Sequence, residues 1–332
     1  MNILITGGLG YIGSHTVIEC IENGHEVIII DNLYNSYISV KTSLEEYLKK
    51  EIKFYEIDMN NISKMEKVFM ENKIDTVIHF AGYKAVGESV EKPLMYYDNN
   101  ISITLNLLKL MEKYSVNNII FSSSATVYKE SKILPLKEDM ELGITNPYGR
   151  TKLIIEEILK DICYADKSFK ATILRYFNPI GAHKSKLFGE NNTDIPNNLM
   201  PYITKVAKGE LEYLRVFGND YPTKDGTGVR DYIHVCDLAK GHILALKSFE
   251  FNNNYNVYNL GTGKGYSVLE IVENFEKETG IKIPYKIIER RAGDIAEYYG
   301  NPEKAYKELG FKAEYGIAEM CKDNWEYEKG RK

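Results

Sequence analysis

A glycine-rich turn between a short apolar strand and an amphipathic helix constrains this chain more than any other feature. The run Met1-Asn-Ile-Leu-Ile-Thr-Gly7-Gly8-Leu-Gly10-Tyr-Ile-Gly13 is entered through the β-rich stretch Ile3 to Thr6 and left through Ile12 to Ile21, which has helical spacing. Its glycines fit both Gly8-x-Gly10-x-x-Gly13 and Gly7-x-x-Gly10-x-x-Gly13. At such a turn a pyrophosphate can approach the bare backbone, and the helix offers unpaired N–H groups and the positive end of its dipole. Glycine runs also make plain tight turns, so the next apolar run, Glu26-Val-Ile-Ile-Ile-Asp31, carries the decision. Its closing carboxylate stands about 20 residues on, where a ribose hydroxyl is held in dinucleotide sites, and its charge repels a 2′-phosphate. Turn and carboxylate together predict a nicotinamide-type dinucleotide, NAD in preference to NADP.

A chain of 332 residues, 44% hydrophobic and 27% charged, has room for a large core and two domains. A net charge of −5 gives no general basic surface, which argues against nucleic acid as a partner. No secretory leader pattern is visible and no apolar stretch approaches a membrane span, so a cytoplasmic protein that binds no membrane is expected. Cys20, Cys163, Cys236 and Cys321 are scattered without CxxC spacing, which suits reduced, buried thiols better than a disulfide frame or a zinc site.

Strands are expected at Asn2–Thr6, Glu26–Ile30, Ile52–Ile57, Thr76–Phe80, Asn118–Ser122 and Ala171–Tyr176, separated by amphipathic stretches that include Ser63–Asn72, Ser102–Tyr114 and Pro147–Ile162. That alternation predicts a parallel sheet with helices on both faces, whose ligands collect at the carboxyl ends of the strands. From about residue 180 the rhythm weakens into loop-rich sequence, with helical stretches at Leu199–Lys208, Val235–Ser248, Ser267–Thr279 and Ala318–Tyr327 and a short strand near Tyr258. We expect domains at 1–179 and 180–332, the chain crossing back between them around 230–258.

The second strong signal is Asn146-Pro147-Tyr148-Gly-Arg-Thr-Lys152. Asn146 is a good helix cap and Pro147 suits the first helical position, so Tyr148 and Lys152 stand four apart on one helix face. A phenol with a pKa near 10 is a poor base at neutral pH, and a nearby ammonium favours its ionised form. An exposed Tyr and Lys on a helix is the plain alternative; the dinucleotide turn and the serine cluster Ser122-Ser-Ser124 favour chemistry.

On these residues the chain resembles the extended short-chain dehydrogenase/reductase family, and within it the branch that epimerises nucleotide sugars. The resemblance runs nearly end to end. It rests also on His79-Phe-Ala-Gly-Tyr-Lys84-Ala-Val-Gly-Glu-Ser89, Tyr96-Tyr-Asp-Asn99, Phe121-Ser-Ser-Ser124-Ala-Thr-Val-Tyr128, Arg175-Tyr-Phe-Asn178-Pro, Ile195-Pro-Asn-Asn198-Leu-Met-Pro-Tyr202, and Phe217-Gly-Asn-Asp-Tyr-Pro through Gly228-Val-Arg230-Asp-Tyr-Ile-His. Lys129 departs from the usual Gly after Val-Tyr, at what is expected to be a surface turn. The resemblance implies a Rossmann-type doubly wound parallel sheet with a smaller C-terminal α/β substrate domain, a homodimer, and interconversion of UDP-glucose and UDP-galactose on bound NAD.

Carried over residue by residue, it implies that Tyr148 exchanges the 4-hydroxyl proton. Lys152 then lowers the Tyr148 pKa and holds the nicotinamide ribose, and Ser124 bonds the C4 oxygen. NAD contacts fall on Gly7, Gly10, Tyr11, Ile12 and Gly13, on Asp31, Asn32, Leu33, Asn35 and Ser36, and on Asp58 and Met59. Further contacts fall on Phe80, Ala81, Gly82, Lys84, Asn99 and Phe177, with Asp58 at the adenine and Lys84 on the pyrophosphate side. UDP-sugar contacts fall on Lys84, Ser124, Tyr148, Asn178, Asn198, Leu199, Phe217, Arg230, Arg291, Asp294 and Tyr298. Arginines suit this task because a guanidinium fork binds phosphate oxygens bidentately. A bulky residue at the Tyr298 position is associated with exclusion of 2-N-acetylated sugars.

A nucleotide-sugar 4,6-dehydratase needs an acid/base pair beside the C4 site, and Ser123-Ser124-Ala125 offers no carboxylate there. A non-catalytic dinucleotide-binding protein has no need of Tyr148 and Lys152. Six histidines include no HExxH pattern, GxSxG is absent, and Gly261-Thr-Gly-Lys264 lacks P-loop spacing, so no metal site is expected.

Overall fold

The apolar runs of the first half pair side by side in one direction because each is followed by a helix that carries the chain back. In the computed structural model, which describes residues 1–191, 198–291 and 294–331, this half runs β1 Asn2–Thr6, α1 Tyr11–Glu22, β2 Glu26–Asp31, α2 Ile38–Leu48, β3 Lys53–Glu56, α3 Ile62–Glu71, β4 Thr76–His79, α4 Val86–Glu91, α5 Pro93–Lys113, β5 Asn118–Ser124, α6 Pro147–Ala165 and β6 Lys170–Tyr176. The remainder is β7 Asn178–Ile180, α7 Leu199–Ala207, β8 Leu214–Phe217, β9 Val229–His234, α8 Val235–Ala245, β10 Tyr255–Leu260, β11 Gly265–Ser267, α9 Val268–Thr279, β12 Tyr285–Ile288, β13 Glu297–Tyr298, α10 Glu303–Leu309 and α11 Ile317–Glu328.

Seven strands form one parallel sheet in the order β10-β6-β5-β4-β1-β2-β3. Successive strand residues point to opposite faces, and here both faces are apolar. Ile3, Ile5, Ile29, Ile78, Ile120 and Leu174 join Val17, Ile18 and Leu238 in one core layer. Leu4, Ile28, Ile30, Val77, Ile119 and Ile173 join Val68, Leu107 and Leu159 in the other. The doubly wound sheet expected from the alternation is therefore the one found.

Connections leave β1 and β4 toward opposite edges, so a crevice opens above their carboxyl ends. Buried His79 bolts its floor: Nδ1 lies 2.7 Å from Thr6 Oγ1, and Nε2 lies 2.9 Å from Thr104 Oγ1 on α5. The glycine turn after β1 and Phe80-Ala-Gly82 after β4 stand at this crevice.

A smaller lobe faces it. There β9 pairs with β7, β11 and β13, and β8 pairs with β12. Its core is built from Ile180, Ile203, Val216, Ile271, Phe275 and Met320. After β9 the chain returns to the large sheet, where β10 lies parallel to β6 over six residues.

One helix is much longer than its periodicity indicates, while the others keep close to the expected bounds. The stretch read as Ser102–Tyr114 begins at Pro93, which occupies the first turn, and α8 tightens into a 3₁₀ segment at Leu246–Glu250. The second helix, Ile38–Leu48, buries only Leu44 and so carries little apolar signature. All four cysteines are free and buried. Among the described residues no helix is long and apolar enough to cross a membrane.

Candidate active site

The glycine turn is built for a close approach. Gly7 adopts φ +70°, in the left-handed region. A Cβ on Gly13 would lie 2.2 Å from the Gly7 carbonyl oxygen, so α1 seats directly on the turn. No side chain caps α1 at Gly10, which leaves its N-terminus to an anion. Asp31, 8% exposed, accepts from Leu9 N at 3.1 Å, Leu33 N at 3.0 Å and Ser36 Oγ at 2.8 Å. Its carboxylate thus ties the turn to the 32–36 loop, where Asn32 accepts from Tyr34 N at 3.1 Å and Asn35 is exposed.

The rest of the predicted cofactor residues line the same strand ends. Tyr11 Oη donates to Gly181 O across the crevice at 2.6 Å, and Ile12 packs on the core beneath the turn. Exposed Asp58 caps Asn60 N at 2.8 Å, and Met59 beside it is buried. Phe80 lies 4.8 Å from the His242 ring. The chain then passes through half-buried Ala81 to Gly82 at φ +148°. Asn99 donates to Asn100 Oδ1 at 3.0 Å, and Asn100 in turn accepts from Tyr83 N at 2.8 Å. Lys84 reaches across the crevice to Glu190, 3.1 Å away, and Asn198 donates to the same carboxylate at 3.3 Å. The bare turn, the uncapped helix and Asp31 fit a dinucleotide.

At the end of β5 the serine cluster meets α6. Asn146 caps the helix by accepting from Gly149 N at 2.8 Å, with Pro147 in the first turn. This presents Tyr148 and Lys152 inward. Lys152 is 5% exposed; its Nζ donates to Ser122 O at 2.6 Å and sits 5.9 Å from the Tyr148 ring centroid. Burial pulls the Lys152 ammonium down to about 8, opposed by the charge of Glu156.

Burial also pushes the Tyr148 phenol up to about 12, opposed by a hydrogen bond from Ser124. The expected lowering by Lys152 is not found in the protein alone, where burial outweighs the bond from Ser124. Ser124 additionally accepts from Thr126 N at 3.2 Å and Thr126 Oγ1 at 3.0 Å, capping the 3₁₀ turn Ala125–Val127.

The remaining predicted residues come from the small lobe. Strand β13 pairs with β9 so that Tyr298 stands opposite Arg230. Arg230 Nη2 bonds Asp294 Oδ1 at 2.9 Å. Arg291 stacks on Phe217, 3.9 Å from the ring centroid. Tyr298 Oη donates to Ala125 O at 2.5 Å, and its ring lies 6.2 Å from that of buried Phe177. Asn178 is exposed at the start of β7, and half-buried Leu199 opens α7. Of the motifs quoted above, Ile195-Pro-Asn197 lies outside the described residues. The departure at Lys129 is exposed, its Nζ 2.8 Å from Glu141. No group of residues suited to a metal ion occurs among the described residues.

Three participants carry little local signal. Glu190 joins Lys84 to Asn198 only through tertiary contact. Glu156 and Arg175 form a buried ion pair behind Lys152. The four-residue spacing of Tyr148, Lys152 and Glu156 was the one available hint.

Comparison with known proteins bears on the same arrangement. A family model described as the NAD dependent epimerase/dehydratase family matches residues 3–261. The UDP-glucose 4-epimerase of Bacillus subtilis is 54% identical over 328 residues, 99% of this chain and 97% of that protein. A UDP-glucose 4-epimerase structure from Bifidobacterium longum in complex with NAD⁺ and UDP superposes with TM-score 0.96 at 52% identity, covering 99% of this chain and 98% of that one. A Stenotrophomonas maltophila UDP-glucose-4-epimerase with bound NAD and formylated UDP-arabinopyranose gives TM-score 0.97 at 45% identity, with 99% and 98% covered.

The seat of Asp31 generates a test of cofactor choice. A 2′-phosphate would meet a carboxylate already fixed by three donors, so NADP should bind far more weakly than NAD in equilibrium dialysis. Equal affinities would remove Asp31 from that role.

Proposed function

The chain belongs to the NAD dependent epimerase/dehydratase family, and from that premise we propose that it interconverts UDP-glucose and UDP-galactose on a cofactor it keeps bound. The observation that carries the site assignment is the junction of β5 and α6, where Ser124, Tyr148 and Lys152 converge above the dinucleotide crevice. When bound, NAD supplies the acceptor and later the donor of the C4 hydride. Tyr148 takes the proton of the 4-hydroxyl as C4 is oxidised, and Ser124 holds the oxygen and relays the proton. The 4-keto sugar turns over, takes the hydride on its other face and regains its proton from Tyr148. Arg230 and Arg291 grip the diphosphate, which lets the hexose rotate while the nucleotide stays fixed.

The dehydratase alternative lacks its acid. The carboxylate at Ser123 is Glu156, but it is shared between Ser123 and Arg175 and is 1% exposed. The dinucleotide-binding alternative leaves the buried Lys152 without a purpose. Mixing the purified protein with UDP-galactose and measuring UDP-glucose without added NAD tests the reading. Tyr148→Phe should fold, retain NAD and lose about 10²–10⁴-fold in kcat; activity within about twofold of wild type would remove the residue from acid/base work.

We further assign residues 1–179, joined by the returning strand β10, to NAD and the unit beginning at 180 to the UDP-sugar. A homodimer in the cytoplasm completes the reading. Four buried free thiols suit a reducing compartment. Leu94 and Leu105, three turns apart on one face of α5, are 81% and 37% exposed, which suits an interface with a second copy. Sedimentation velocity should give twice the 38.1 kDa of one chain; a single-chain mass at micromolar concentration would refute the dimer.

Tyr298 limits the sugar. Its ring fills the space between Phe177 and the Ser124 turn, where an acetamide would need room that a close-packed site cannot give. UDP-N-acetylglucosamine should be turned over poorly, and Tyr298→Cys should gain that activity. Tyr298→Phe, which lacks only the hydroxyl and its bonds to Ala125 and Tyr128, should not. Comparable wild-type turnover of both sugars would sink the gate.

A further inference from the structure

Three successive serines at the end of β5 each hold one residue of a single stripe on α6. Ser122 accepts the Lys152 ammonium at 2.6 Å, Ser123 Oγ donates to Glu156, and Ser124 bonds Tyr148. Tyr148, Lys152 and Glu156 are four apart, so they share one helix face. Glu156 is the anchor of this zipper. Arg175 grips it with Nε at 3.1 Å from Oε1 and Nη2 at 2.6 Å from Oε2. Arg175 is itself Ser123's partner in the β5–β6 register, and it stacks 4.7 Å from the Tyr128 ring.

We propose that Glu156 is a positioning residue for the epimerase reaction: it fixes the end of β5 against α6, and its charge keeps the buried Lys152 protonated. The inference rests on the assignment of Tyr148 as the acid/base group. An ammonium in a buried site loses its proton unless an opposite charge stands near. The other groups around Lys152 supply none. His79 on β4 is buried and held neutral, its pKa pulled down to about 3. From β5 the Phe121 ring faces the ammonium at 4.8 Å, and from β6 Tyr176 stays a neutral phenol, its pKa raised by burial. Asn100 on α5 is engaged with Tyr83 and Thr151. Glu88 on α4 is engaged with Tyr96 and Lys92. Arg175 stands beyond Glu156.

Glu156→Gln separates the two roles, because the amide still accepts from Ser123 but carries no charge. In the holoenzyme we expect the alkaline limb of kcat to move to lower pH by about one unit, with KM for UDP-galactose and NAD content held within about twofold. Ser123→Ala, which keeps the charge, should lower kcat at every pH without moving the limb. The ε-carbon NMR resonance of Lys152, identified by its loss in Lys152→Arg, should titrate at lower pH in Glu156→Gln. Should the unpaired Arg175 prevent that variant from folding, the same shifts are expected in Glu156→Gln combined with Arg175→Met. Superimposable kcat limbs and an unmoved Lys152 titration would overturn the inference. A wild type that converts no UDP-galactose would instead overturn the epimerase reading, with the Lys152 titration still reporting on the charge.

Discussion

A parallel sheet covered on both faces leaves its chemistry one place to go. The apolar residues of β1, β2 and β4, which are Ile3 to Ile5, Val27 to Ile30, Val77 and Ile78, are spent on the two core layers, so most polar groups gather where the strands stop. The topology then selects among those ends. Helices leave β1 and β4 in opposite directions, the crevice opens there, and both the glycine turn and the 80–84 loop are delivered to it. Buried His79, bonded on both ring nitrogens, holds β1, β4 and α5 in that relation without carrying charge.

Buried carboxylates then fix the loops that surround the crevice. Asp31 gathers Leu9, Leu33 and Ser36 on the cofactor side. Asp231, fully buried, gathers Thr262 N at 2.9 Å, Gly263 N at 3.1 Å and Gly300 N at 3.3 Å on the sugar side. The latter set places β13, and so Tyr298, beside Arg230. An acid that satisfies several backbone donors at once makes loop geometry as definite as a strand. On the proposed reading these two anchors set the distance between nicotinamide and hexose.

How much of this could be read from residues alone follows from how local each interaction is. The glycine turn, Asp31 and the Asn146–Lys152 helix start are legible because caps, close approaches and four-residue spacing act within one element. The second helix hid because a helix that buries one leucine leaves almost no periodic trace. Glu190 and the Glu156–Arg175 pair hid because their partners lie on other elements, and a lone Glu on an amphipathic helix reads as solvent-facing. The sign of the Tyr148 shift was also out of reach. Spacing shows a cation nearby but not the burial that outweighs it, nor the Ser122 carbonyl that holds the ammonium.

That sign bears on how the site works. In the protein alone burial raises the phenol to about 12 and lowers the ammonium to about 8, so burial opposes the ionisation of Tyr148. Nearby positive charge favours it, and on the proposed reading an oxidised nicotinamide ring, its ribose held by Lys152, would supply such a charge. A reduced ring would carry no such charge, so Tyr148 would then hold the proton that it returns to the C4 oxygen. On the proposed reading, a phenol whose ionisation burial opposes would give up its proton most readily beside the oxidised cofactor.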